Sequence, residues 1–552
     1  MSQQTARQSI ANYYIDPLAS STDHGDSSVN GTIAWALSQL PVGGGIIQLV
    51  PGDYNLLQRL DIPRDNVSII GCGKTSRLIL DQSVTDDCFI DVQTNLNFTL
   101  KDLQIYGSGG SACTLPAIIG TFNIGEFTNL RIDNVYFNEL TEGAIDFTNL
   151  TFSNITNCNF ENIDSTSAII LTSSLHNNII DNNIITYEEG ILLDTCLNCN
   201  VSNNNIKFIG NGAFGISIQN NSIDNNVTDN NIDGNSHDIT FGMIYCEGGI
   251  SSVNYNNFSN NTFRNVAPAT GNGITISNGI ENNIIGNIFD SLTGNGVELV
   301  GTTHYHNITG NNFNSLIGIS IKLDQLSNFN NIIGNNISGV ATIGIQLAAT
   351  STYNNISENH ISGASGSGVE LTATSNYNKI TNNEIYTLTD GIKIDGNSDN
   401  NVISLNYIAS MGGSGILINN ANCNTNSVFQ NKFLSCTTAN ITNSGTDTLQ
   451  DMHFLSRVAV SDADRNTSAL SNDYLVAFTA LTAPRAYTIS SEDAAQTGRV
   501  FIVKDESGDA GTHTITVSVE AGTIDGAASV PINGDYSSIT LYAIGDGNLS
   551  II

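Results

Sequence analysis

The sequence predicts an all-β chain whose long central part winds into a parallel β-helix, and three observations carry that expectation. An asparagine recurs in the pattern apolar–x–x–Asn–x–apolar at Asn182, Asn204, Asn230, Asn261, Asn287, Asn311, Asn335, Asn359, Asn383, Asn406 and Asn431, in steps of 22 to 31 residues that settle near 24. A repeat that short cannot enclose a core of its own, so successive copies must stack. A tetrapeptide of the form Gly–apolar–x–apolar returns once per repeat, as in Gly190-Ile-Leu-Leu, Gly215-Ile-Ser-Ile, Gly296-Val-Glu-Leu, Gly318-Ile-Ser-Ile, Gly344-Ile-Gln-Leu and Gly415-Ile-Leu-Ile. Between residues 117 and 483 the only proline is Pro268, as expected where backbone amides are needed for ladders.

The elements follow in chain order. Residues 1–22 read as a short arm. Residues 26–40 are the best helix candidate, and a helix carrying Trp35, the sole tryptophan, would close the open end of a solenoid. Gly43-Gly-Gly-Ile-Ile-Gln-Leu-Val-Pro-Gly-Asp-Tyr54 reads as a strand ending in a tight turn. Weaker coils pass through Val67, Leu100, Ile132 and Ile155, giving about 14 coils over residues 23–447. Each coil holds short alternating strands split by Asn, Gly and Ser turns, and no 3.6-residue period appears. In the tetrapeptide the second and fourth residues face inward and the third outward. Asparagine suits the bends because it tolerates the left-handed conformation, and stacked amides can bond one another along the rod. Residues 448–470, with Met452, His453, Phe454, Arg457 and Arg465, read as a connector. Residues 471–552 read as a small antiparallel β-sandwich with strands near 499–504, 513–519, 538–542 and 549–552, suited to an oligomerisation cap.

Composition removes several function classes. Charged residues make up 12% of the chain, yet its net charge is −33, which repels nucleic acid and anionic membrane. No apolar run is long enough to span a bilayer, and the N-terminus lacks the basic and apolar blocks of a secretion signal. Nine cysteines cannot all pair within one chain. Cys158 takes the asparagine slot of its repeat, and Cys196-Leu-Asn-Cys199 is a lone CxxC, so both read as core thiols.

Several segments carry a family resemblance. Asp23-His-Gly-Asp26, Ala34-Trp-Ala-Leu37, Gly43-Gly-Gly, Pro51-Gly-Asp-Tyr54 and Gly71-Cys-Gly73 are similar to the start of the pectate-lyase-like β-helix domains of bacteriophage tailspikes. Asn472-Asp-Tyr474, Gly498-Arg-Val-Phe-Ile-Val-Lys-Asp505, Ile524-Asp-Gly526 and Ile551-Ile552 resemble modules at the tips of phage tail fibres and spikes. The resemblance implies a right-handed, single-stranded parallel β-helix assembled as a homotrimer of parallel rods. It also implies attachment to the virion tail through the N-terminus, and binding of host surface polysaccharide with its cleavage as a glycoside hydrolase or polysaccharide lyase. Only about 20 residues precede the helix, so attachment falls to this short arm or to an adaptor protein. Two other readings stay open: a spike that only binds glycan or serves structurally, and a cellular β-helix protein acting on polysaccharide. The Asp-His and Arg-x-Pro-x-x-Arg signatures of pectate and pectin lyases and the Gly-His-Gly of polygalacturonases are absent. Asp86-Asp87 stands alone, outside the polygalacturonase context.

Outward side chains of a β-helix form columns, one residue per coil. The first column of the Gly-initiated strand is expected to run Ser217, Thr275, Glu298, Ser320, Gln346, Glu370, Lys393, Leu417. The second is expected to include Asp194, Gln219, Ser277, Lys322, Thr372, Asp395 and Asn419. Two acid–lysine–acid clusters result: Glu370, Lys393 and Asp395, and Glu298, Lys322 and Asp324, the latter with His304 and His306 nearby. Carboxylates about 6.5–9.5 Å apart can hydrolyse a glycosidic bond with inversion. A close lysine holds its neighbour ionised, which helps a base and hinders an acid. Each lysine equally suits a plain charge partner on a solvated sheet. Tyr305, Phe329, Tyr353 and Tyr377 follow one another at 24-residue steps. They form either a glycan platform or a corner held by ring contacts. No cofactor or metal is expected, calcium at Asp395-Gly-Asn-Ser-Asp-Asn400 being the one ion considered, in a loop short of the EF-hand pattern.

Overall fold

The computed structural model describes residues 11–16, 32–80, 88–93, 96–107, 115–120, 127–164, 167–248, 253–266, 271–339, 341–410, 412–445, 448–451, 457–467 and 473–552. Asp23–Asp26, Asp86-Asp87, Pro268, Met452–Phe454 and Asn472 lie outside them. The chain divides into two compact units, the second comprising Ile403–Asn406, Ser427–Lys432 and Thr448–Ile552.

The first unit is a parallel β-solenoid. Each turn contributes one short strand to each of three stacks. Asn307–Thr309, Asn312–Asn314 and Ile319–Leu323 belong to one turn. They pair in parallel with Asn331–Ile333, Asn336–Ser338 and Ile343–Leu347 of the next. Burial alternates along most of the strands, so Ile308, Ile332, Ile356 and Ile380 form one fully buried file and Phe263, Phe289 and Phe313 another. The rings of the latter stack 4.9 and 4.6 Å apart.

The fold winds about 17 turns against the 14 expected. The asparagine repeat does not extend to the end rungs: Gly45–Leu49 pairs with Val67–Ile70 at one end, and Leu449–Asp451 with Ser427–Phe429 at the other. At the N-terminal end Ala11–Ile15 adds one more parallel strand, on Gly45–Leu49. The helix is shorter than expected, Ile33–Gln39, and Thr32 caps it by accepting from the Trp35 amide at 3.0 Å. Its buried face is Ile33, Ala36 and Leu37. Trp35 lies aside from that face, edge-on to Tyr13 at 5.8 Å.

Corner chemistry explains the repeat. Asn335 Nδ2 donates to Ile308 O and to Asn359 Oδ1, both at 2.9 Å, while its Oδ1 accepts from the Asn311 amide N–H and side chain at 3.0 Å. The same bonds link Asn359 to Asn383. The left-handed conformation expected of these asparagines belongs to the residue before each, as at Gly334 (φ 64°), Glu358 (59°) and Asn382 (56°). A second buried ladder, Asn330, Asn354, Asn378 and Asn401, repeats the arrangement at another corner. The tetrapeptide glycine is a matter of space: a Cβ on Gly391 would sit 2.3 Å from Ile408 Cγ2 and 2.5 Å from Gly415 O.

The C-terminal residues form two sheets, of five and four strands. Arg457–Ser461 and Arg465–Asn466, expected in a connector, are strands that pair with Leu475–Ala480 and Arg485–Ile489. The expected antiparallel arrangement holds only at the end of the chain. Successive strands up to Ile515–Val519 alternate between the sheets, so same-sheet neighbours run parallel. Antiparallel pairing begins with Ser529–Ile532 and Ser538–Gly545. Val476, Phe478, Tyr487, Phe501, Val503, Val517 and Leu541 are core residues of this module. Among the described residues no helix is long and apolar enough to cross a membrane.

Candidate functional site

The third stack presents the expected outward columns with one slip. In the first column Ser217, Tyr245, Thr275, Glu298, Lys322, Gln346, Glu370, Lys393 and Leu417 stand in register. Lys322 takes the place assigned to Ser320. The cause is that Ile321 stacks between Val297 and Ile345, which moves the strand two residues along from the Gly318 tetrapeptide. Ser320 points inward, fully buried in the slot held by glycine in neighbouring turns, and its hydroxyl has no hydrogen-bond partner among the described residues.

Both acid–lysine–acid clusters form, and both are closed. Lys322 Nζ lies 2.9 Å from Glu298 Oε1 and 3.0 Å from Asp324 Oδ2, and Asn272 Nδ2 donates to Glu298 Oε2 at 2.7 Å. Burial works against the Lys322 charge, yet the two carboxylates outweigh it and hold the ammonium above its ordinary range. Lys393 Nζ lies 2.8 Å from Glu370 Oε1 and 3.7 Å from Asp395 Oδ2, with Gln346 on the other Glu370 oxygen at 3.1 Å. The Glu370 hydrogen bond raises Lys393. Asp395 is lowered by its bond from Asn419, then by the Gly396 amide and Lys393. Each ammonium therefore occupies the gap in which an inverting hydrolase holds its water, and Asp395 is the opposite of the raised acid that protonates a leaving group.

His304 and His306 do not join the cluster as a pair. His306 is fully buried in the second ladder, where Nδ1 accepts from the Asn282 amide at 3.1 Å and Nε2 bonds Gly279 O at 3.0 Å. Burial lowers it to about 4. His304 lies edge-on to Tyr305 at 6.2 Å.

The four spaced aromatics stand one per turn at a single corner. Tyr305, Phe329, Tyr353 and Tyr377 all have left-handed backbones, with φ between 57° and 60°. Left-handed geometry throws each side chain outward while the next residue turns in to the buried ladder. Ring centroids are 5.2, 5.1 and 5.0 Å apart and nearly parallel. Inner faces thus cover one another, and half of each residue, its edges and rim, remains exposed. The platform expected from the sequence is a stack seen edge-on.

Beside this corner runs a column that the spacing argument did not isolate. Asn283, Asn307, Asn331 and Asn355 begin successive strands of the first stack and face outward. Asn331 donates to Asn307 at 3.0 Å and Asn307 to Asn283 at 2.9 Å. Rings and amides together border an open groove of about 400 Å³ lined by Tyr255, Glu281, Asn283, Tyr305, Asn307, Phe329 and Asn331. Tyr255 and Glu281 continue the aromatic corner. Phe152 and His176, stacked at 5.0 Å, occupy it further down. These escaped notice because the steps between them are uneven and Glu281 breaks the aromatic run.

A cluster missed on the second stack joins His360 Nδ1 to Glu384 Oε2 at 3.1 Å, with the Tyr386 hydroxyl donating to Glu384 Oε1. The Tyr386 bond, then His360, lowers Glu384, and the same bond pushes Tyr386 up to about 12. All three lie on an open sheet face.

Cys158 occupies the asparagine slot, its amide bonded to Asn182 Oδ1 at 2.9 Å, and burial pushes its thiol up to about 12. Cys196 is held above the thiol range by its bond with Cys199 and by burial. Neither is in a disulfide. Among the described residues no group of three or more His, Cys, Asp or Glu could hold a metal ion. In the loop considered for calcium, Asp395 Oδ1 accepts from the Gly396 amide and Asp399 Oδ1 from the Asn424 amide.

A family model described as a right-handed β-helix region matches residues 248–387 and 304–454. Among curated protein sequences none matches this chain. Among solved structures, DFA-IIIase from Arthrobacter chlorophenolicus A6 in complex with GF2 is 15% identical with a TM-score of 0.45, covering 56% of this chain and 85% of its own. The same enzyme without its lid is 17% identical with a TM-score of 0.45, covering 63% and 94%. An A-module of mannuronan C-5 epimerase from Azotobacter vinelandii is 13% identical with a TM-score of 0.35, covering 79% and 100%.

Proposed function

We propose that the protein is a glycan-binding spike that engages host surface polysaccharide along the aromatic corner of its β-helix. The observation that supports this best is the groove: ring edges on one wall, a file of side-chain amides on the other, and no lysine or arginine among its lining residues. Apolar ring surface with few convergent polar groups is the ordinary make-up of a small-ligand site, and amides donate to and accept from hydroxyls equally. The ion-paired clusters favour holding over cutting. Each has its lysine where a hydrolytic water belongs, so Glu298, Asp324, Glu370 and Asp395 with Lys322 and Lys393 serve as a polar flank.

Placement on a virion tail, as a homotrimer attached through its N-terminus, is the finer part of the reading and rests on the tailspike resemblance. Exposed Ile544, Ile551 and Ile552 at the end of the chain are apolar surface of the kind that oligomers cover. Sedimentation of the full chain checks it, with three times 58.6 kDa expected and a monomer at micromolar concentration contradicting it.

The test of glycan binding is retention of the full chain on immobilised surface polysaccharides from candidate hosts. Phe329→Ala, which removes a groove wall on the surface, is expected to weaken retention at least fivefold. Unchanged retention would remove the corner from the reading. Reducing ends released by the wild type and lost in Glu298→Gln or Glu370→Gln would show that the clusters cut.

A further inference from the structure

Between Tyr255 and Tyr377 the aromatic corner is interrupted once, at Glu281, and the interruption is an open gap. Successive rungs from Tyr377 present Tyr353, Phe329 and Tyr305, then Glu281, then Tyr255, as the register of the adjoining strands fixes. Tyr255, Glu281 and Tyr305 have φ of 57°, 55° and 60°, so all three side chains leave the corner in the same direction. Tyr305 gives one face to Phe329. Its other face looks across the Glu281 rung toward Tyr255. Two rungs span about 9.6 Å at the usual strand spacing. Two carbon–carbon contacts of about 3.5–4.0 Å use most of it and leave the thickness of one puckered six-membered ring.

The polar groups around the gap are unspent. Glu281 is exposed and its carboxylate has no hydrogen-bond or ion-pair partner among the described residues. The outward amide file also breaks at this rung: Asn283 Oδ1 accepts from Asn307, but Asn283 Nδ2 donates to nothing among the described residues, while Asn257 turns to Asn226 and Ser259. One free acceptor and one free donor thus face the same space, and both residues line the groove.

We propose that this gap is a subsite for a single neutral pyranose, seated between Tyr305 and Tyr255, with one hydroxyl donating to Glu281 and a neighbouring hydroxyl accepting from Asn283 Nδ2. It rests on the reading that this corner binds glycan and adds to it the position and the class of sugar. A carboxylate at the centre selects against uronates and sulfated sugars, and a ring-sized slot selects against acyclic polyols.

The experiment titrates the full chain with glucose-, galactose- and mannose-based hexasaccharides, with uronate hexasaccharides as the anionic comparison. Glu281→Tyr would fill the gap with a ring and complete the stack. The expected result is at least a tenfold loss of affinity for whichever neutral hexasaccharide binds, with a melting temperature no lower than the wild type. Asn283→Ala, which adds no bulk, is expected to lose about threefold or more on the same ligand. Undiminished affinity in Glu281→Tyr overturns the subsite. If Phe329→Ala is weakened while Glu281→Tyr is not, the subsite falls and the corner reading stands. If no hexasaccharide binds the wild type but surface polysaccharide does, the single-pyranose assignment falls alone. If neither binds, both readings fall together.

Discussion

Asn335 uses every hydrogen-bonding position of its amide on a buried partner, so it is a bracket between three turns. Removing it strands the Asn311 backbone N–H, one Asn311 side-chain N–H and the Ile308 carbonyl at once, while Asn359 Oδ1 keeps its bond from the backbone amide of residue 335. At about 1–3 kcal/mol per buried unsatisfied group, Asn335→Ala is expected to cost at least about 3 kcal/mol, read by chemical denaturation. A cost under 1 kcal/mol would mean that water replaces the amide. His306 occupies the corresponding slot of the other ladder and brings a pH dependence with it. Its folded value near 4 lies below the 6.5 of a free imidazole, so the unfolded chain takes up the proton first as pH falls. Stability is present above about 6.5 and is lost between there and 4, at up to about 1.4 kcal/mol per pH unit. His306→Asn restores the ladder residue and removes that titration. Its stability relative to wild type is expected to rise as pH drops from 7 to 4.5, and a difference flat with pH would refute the assignment.

At the scale of the strand, the glycine that opens each inward tetrapeptide is set by its neighbours above. The Cβ that Gly391→Ala adds would lie within 2.5 Å of both Ile408 Cγ2 and Gly415 O, and only one of these can move by a rotamer change. Overpacking of this kind costs about 1–3 kcal/mol, and thermal melting of Gly391→Ala should show it, whereas no change would mean that the rungs yield to an added methyl group. The same slot shows how far the sequence could be read. Asparagine and glycine periods gave the stacking, the corner positions and both ion clusters, because a repeating local rule leaves a repeating mark. Gly318 broke the rule while keeping its look. Its tetrapeptide matches the others, but Ile321 and Leu323 are the residues that continue the core file, and only the register of the next turn reveals that Lys322 rather than Ser320 faces Glu298. The groove was hidden for a related reason: Tyr255 and Glu281 sit 26 residues apart, off the 24-residue step, and column membership there depends on the spacing between strands. Which carboxylates are spoken for by lysine is a matter of side-chain geometry that no spacing encodes.

At the scale of the whole molecule, charge decides which glycans can approach. The chain carries 51 acidic against 18 basic residues, and Lys101, Arg131, Lys322, Lys393, Arg465, Arg485 and Arg499 are already paired with carboxylates. An anionic polysaccharide would meet repulsion with little exposed counter-charge to offset it, while a neutral one feels only rings and amides. The two cases separate by salt. Between 0.1 and 1 M NaCl the Debye length falls from about 10 Å to about 3 Å. Affinity for a neutral ligand is therefore expected to change less than about twofold across that range, and affinity for an anionic one to rise as repulsion is screened. Isothermal titration at four salt concentrations reads this directly. A steep fall of affinity with salt would be the damaging result, since it would mean that the lysines leave their carboxylates to grip the ligand and that the clusters, rather than the aromatic corner, do the binding.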